Sequence, residues 1–135
     1  MTALSSPNDP PQSERSPPIL NTAQLHARLD EIKERMGPPP WSTLLTLTDE
    51  MQAVVIYQAP GTPNDRHYHL HDEWWVVMEG EISWEMEGYD EPVIASAGDF
   101  VLAPRNTFHH IRVLGDTPAV RIGITVVGEF HRHDR

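Results

Sequence analysis

The sequence predicts an all-β domain, a sandwich or barrel, preceded by one helix. Three observations carry that expectation. From residue 41 onward, short apolar runs alternate with Gly, Pro, Asn and Asp, as expected of many short strands. One stretch, just ahead of Pro38-Pro39-Pro40, has apolar residues at helical spacing instead. At 135 residues the chain has the length of one domain and can bury a core unaided.

Residues 1–20 are rich in Ser and Pro and poor in apolar side chains. Little burial offsets the entropy of ordering them, so they read as a disordered tail. A helix is predicted over 22–36, in a segment bounded at 21–37. Leu25, Leu29, Ile32 and Met36 form its apolar stripe. Asn21 and Gln24 stand in capping-box positions, and Gly37 with the three prolines ends it. The barrel spans 41–128, with strands expected near 42–48, 52–58, 72–79, 81–87, 92–96, 99–103, 108–114 and 119–127. Residues 129–135 read as a C-terminal tail.

Alternation orients the strands. If Glu73 faces inward, so do Trp75 and Val77, while Trp74, Val76 and Met78 face outward. That strand is apolar on both sides, so both are expected to be covered, the outer one by the helix or by a second subunit. Ile82, Trp84 and Met86 share one face of the next strand. In the last strand, Val120, Ile122, Ile124 and Val126 form the expected inward set.

The formal net charge is −10 and Lys33 is the only lysine, which argues against a nucleic-acid partner. No apolar run approaches ~18 residues, so no membrane span is expected. The N-terminus does not read as a secretory signal, and the cytoplasm is the expected compartment. Cysteine is absent. A metal site would therefore use nitrogen and oxygen ligands, which disfavours a structural zinc knot.

Such a site is suggested between Gly61 and Gly80. His67, His69, His71 and Glu73 all fall at odd positions, so an extended path aims them to one side. The spacing His67-x-His69-x-x-x-Glu73 joins imidazoles to a carboxylate, a set that suits a redox-capable divalent metal with open positions. A further ligand should come from a distant strand. The candidate is His109, which follows the turn Pro104–Thr107.

At these residues the chain resembles a family. Gly61, His67, His69, Glu73 and Gly80 are spaced like the first cupin motif, and Gly98, Pro104 and His109 like the second. Asn106 stands where the second motif usually has glycine, and Asn tolerates a left-handed backbone. Val113 stands where an asparagine is frequent. The resemblance implies a jelly-roll β-barrel, commonly a homodimer. It implies His67, His69, Glu73 and His109 as ligands of one divalent metal per chain, among Fe, Mn, Ni, Cu and Zn, with Fe or Mn favoured here. It covers dioxygenases, isomerases, lyases and non-catalytic binders, so it leaves the activity open.

The remaining residues carry alternatives. His71 would replace a ligand, support one, or stand at the site mouth; the last two are the stronger readings. Trp75, Trp84, Met86, Tyr57 and Phe108 would wall a substrate pocket or simply fill a barrel core. Arg105, Arg112 and Arg121 would each hold a substrate carboxylate, or stand at the surface paired with acids. His131 and His133 read as a solvated tail. The leading expectation is a dioxygenase-type enzyme acting on a small organic molecule. The alternative is a redox-neutral isomerase or lyase, with Tyr57, Tyr68 or His71 as acid or base. A binder without turnover is the third reading.

Overall fold

The structure, a computed structural model, describes residues 17–62, 64–128 and 131–134. Among the described residues, one helix, α1 (Leu29–Met36), precedes eight strands: β1 (Trp41–Leu47), β2 (Met51–Gln58), β3 (Glu73–Glu79), β4 (Glu81–Met86), β5 (Val93–Ser96), β6 (Phe100–Ala103), β7 (His109–Val113) and β8 (Ala119–Val126). They form two antiparallel sheets in the orders β1-β2-β8-β3-β6 and β5-β4-β7. This is the expected all-β, jelly-roll arrangement. Its eight strands lie within one residue of the predicted bounds.

The helix is shorter than predicted. Asn21 does not cap it. Its side-chain oxygen accepts from the Ala23 N–H at 2.9 Å, and its backbone pairs with Gln24. Asn satisfies itself locally in this way and so competes with helix nucleation. Arg28 stands at the N-terminus instead, without a side-chain cap. Leu25 is outside the helix and exposed, and Ile32 is its buried residue. Gly37 ends it as expected, at φ 88° with its N–H on the Lys33 carbonyl.

The end of the predicted tail is ordered. The Ile19 and Leu20 N–H groups donate to Leu44 and Leu45, beside the register shift in β1. Ile19 is buried. The pairing covers the free edge of β1, which would otherwise expose unpaired backbone groups. Residues 1–16 lie outside the described residues.

The core sits between the sheets. Trp75, Val77, Ile82, Trp84, Ile111 and Val101 belong to one buried cluster. The inward face of β3 is Glu73, Trp75 and Val77, as alternation predicts. The inward face of β8 is not as predicted. Gly123 lies opposite Trp75, and a Cβ there would fall 2.5 Å from the indole. Arg121, Gly123 and Thr125 therefore face inward, and Ile122, Ile124 and Val126 line the outer face. The bulk of Trp75 needs that empty space, so small and polar residues occupy the inner side.

The outer face is apolar and partly open. Trp74 pairs with Leu102 and Val76 with Phe100. Trp74, Met78, Phe100 and Leu102 are all exposed. Near one end of this face, Lys33 of α1 forms an ion pair with Glu79 at 2.9 Å and lies over the Tyr57 ring. Among the described residues, no helix is long and apolar enough to cross a membrane.

Candidate metal centre

Two segments far apart in sequence form the site. The backbones of His67 and His109 exchange hydrogen bonds at 3.1 and 2.8 Å. The turn before β7 is fastened to the segment before β3: the Asn106 N–H donates to the His69 carbonyl, and the Arg105 N–H to Asp72 Oδ1. Asn106 has φ 57°, the left-handed conformation its family position calls for. Gly80 closes the stretch at φ 81°, packed against the Ala119 backbone so closely that a Cβ would clash.

His67, His69 and His109 each offer a ring nitrogen, all within 4.8 Å of one another, and all three side chains are buried. His67 Nε2 lies 3.1 Å from His109 Nε2. Glu73 Oε1 lies 3.6 Å from His69 Nε2 and 3.9 Å from His109 Nε2. The Asp65 carbonyl, 3.1 Å from His67 Nδ1, can only accept. Nδ1 therefore carries the proton, and Nε2 presents its lone pair to the centre.

Burial keeps the His67 and His109 rings neutral. It pushes His67 down to about 3 and His109 down to about 2, with neighbouring histidines adding to both shifts. Neutral imidazoles beside a carboxylate are the form a divalent metal binds, so the donor set fits the group the fold implies. The unfolded chain protonates both rings near 6.5, whereas the folded chain does so only below about 3. Over that interval the unfolded state holds more protons, so stability rises with pH. The metal-free protein is expected to be most stable above pH 6.5 and to lose stability steadily toward pH 3. Urea midpoints measured across that range check this, and a flat profile would contradict it.

The other predicted residues separate in space. His71 is exposed in the turn before β3. Tyr68 is buried between the histidines in sequence, donates from its hydroxyl to Asp134 at 2.7 Å, and packs edge-on against Phe108. Trp75, Trp84 and Met86 belong to the hydrophobic core. Tyr57 lines a cavity of about 270 Å³ at the ends of β1 and β2. Arg105 pairs with Asp72 and Arg112 with Glu85 at the surface, but Arg121 is buried and donates to Gln58 Oε1 at 2.6 Å.

The C-terminal segment differs from its reading as a solvated tail. Arg132 and Tyr68 pair through their backbones. This sets the His131 ring flat on His67, 3.8 Å between centroids, and brings His133 to Asp65. Asp65, His67 and His131 form a second cluster with metal-ligand spacing. The His-x-His pattern at 131–133 was the available signal, but its docking depends on a tertiary pairing that local sequence does not encode.

A cupin-domain profile matches residues 54–128. The chain belongs to the cupin family. Solved structures resemble it across this region. KdgF from Halomonas sp. is 26% identical, over 64% of this chain and 78% of that one, with a TM-score of 0.56. The DMSP lyase DddQ from Ruegeria pomeroyi DSS-3 is 25% identical, over 70% of this chain and 47% of that one, with a TM-score of 0.56. A Klebsiella pneumoniae protein with a double-stranded β-helix domain is 21% identical, over 81% of this chain and 100% of that one, with a TM-score of 0.63.

Proposed function

We propose that this chain is a metal-dependent cupin enzyme acting on a small organic substrate, with His67, His69, Glu73 and His109 holding one iron or manganese ion. The observation that carries this reading is the convergence of three buried imidazoles and one carboxylate on a single point. A bound metal there would supply Lewis acidity and, with iron or manganese, access to dioxygen chemistry. The protein's own part is to hold the His67 ring in one tautomer through the Asp65 carbonyl and to keep water from the imidazoles by burial.

The leading reaction is a dioxygenase-type oxidation. A redox-neutral lyase or isomerase is the second reading, favoured by the likeness to a lyase. Oxygen uptake by iron-, manganese- and copper-loaded protein, with a panel of small phenols, enediols and diketones, separates them. Uptake with at least one compound, lost in His69→Ala, is the expected result. No uptake with any metal and any compound would end the dioxygenase reading.

We also read the chain as a homodimer that covers the outward Trp74, Met78, Phe100 and Leu102. Exposed apolar patches of this kind mark interaction sites. Light scattering should give twice the chain mass for the wild type and the single-chain mass for Phe100→Glu. A wild-type monomer at tens of micromolar would contradict it.

A further inference from the structure

Arg121 lies on the inner face of β8 with only 2% of its surface exposed. Its guanidinium rests over the Trp75 ring at 5.1 Å and donates to one neutral partner, Gln58. Its Nε has no hydrogen-bond partner, and no carboxylate pairs with it among the described residues. Burial lowers its pKa to about 10, so it stays charged at neutral pH. A buried cation without a counter-charge is costly, and one amide oxygen does not replace an anion. Glu73 is the acid whose charge supports it from a distance, and the proposed metal site uses that charge.

The same arginine lines the cavity of about 270 Å³ described above, with Gln58, Thr62, Asn64, Trp41 and Tyr57. No acidic side chain is among its described lining residues. The cavity lies close to the metal centre. Asn64 is three residues before His67, its carbonyl accepts from His110 Nε2, and its side chain accepts from the Ile111 N–H. The charge of Arg121 is felt at both His109 and Glu73.

We propose that Arg121, with Gln58 beside it, is the carboxylate-binding element of a substrate subsite next to the metal centre, and that the substrates are small organic acids. One guanidinium fork matches one carboxylate in charge and in geometry. Ile56, which pairs with Arg121 across β2 and β8 and so shares its face, lines the same cavity and offers apolar surface to the body of the acid. This deepens the metal-enzyme reading and rests on it for the word substrate, but the anion site itself does not need the metal.

Benzoate and its neutral isostere benzamide test the site on the full chain, by calorimetry and tryptophan fluorescence, with metal content measured on the same samples. Benzoate should bind at least ~10-fold tighter than benzamide, in metal-loaded and chelator-treated protein alike. Gln58→Glu supplies an internal carboxylate to Arg121 and should abolish benzoate binding without lowering Tm. Arg121→Lys keeps the charge, loses the fork, and should weaken binding ~10-fold or more. Equal binding of the two probes, no benzoate binding by the wild type, or benzoate binding by Gln58→Glu as tight as wild type would overturn the proposal. Binding that vanishes with chelator and returns with manganese would also overturn it, since the carboxylate would then sit on the metal. Protein that binds benzoate but no metal would sink the metal-enzyme reading and leave the anion site standing.

Discussion

His109→Ala is expected to lose its metal through dialysis while remaining folded. His109 reaches the centre from β7, across a backbone pair with His67, so its removal opens one side of the donor set and leaves a small cavity. Loss of a group that merely supports a ligand costs 10–100-fold in affinity, so loss of a ligand should cost at least ~100-fold. His69→Ala and Glu73→Ala should behave alike. His71→Ala should keep wild-type metal, because His71 is exposed in the turn before β3. Elemental analysis of dialysed proteins makes the comparison. Full metal in His109→Ala, or loss in His71→Ala, would mean that the ligand set has been misassigned.

Trp84→Ala is expected to give the largest loss of stability. Trp84 is fully buried in β4 and packs with Trp75 at 6.1 Å between centroids. Truncating a buried Trp costs about 3–5 kcal/mol, part lost transfer energy and part cavity. In a domain whose whole stability is of order 5–15 kcal/mol, that should lower Tm by more than about 10 °C. The result also decides between the two sequence readings of this residue. A pocket wall would change KM and leave Tm nearly intact. A core residue does the reverse, and its burial here places Trp84 in that class.

What the sequence reveals and what it hides follow from range. The strands are legible because their punctuation is local: Gly98 and Asp99 turn into β6, and Pro104 to Thr107 turn out of it. The geometry around His67, His69 and His109 is legible because motif spacing stands in for a tertiary contact. The start of α1 is not, since Asn21 is equally able to cap a helix or to bond its own turn, and the turn wins. The β8 parity is misread because its apolar residues alternate on the outer face, while the inner face is set by the Trp75 ring above Gly123. Arg121 looks like its two surface counterparts until that reversal is known, and then it becomes the buried one. The docking of His131 on His67 rests on Arg132 meeting Tyr68, a contact between residues far apart in the chain.

In the proposed site, His67, His69, His109 and Glu73 together bind one metal ion. X-ray absorption on manganese-loaded protein tests it most directly. The expected result is a nitrogen and oxygen shell with imidazole scattering from the three histidines, reduced by one imidazole in whatever manganese His109→Ala retains at saturating metal. A shell of oxygen alone, or imidazole scattering unchanged in His109→Ala, would contradict it.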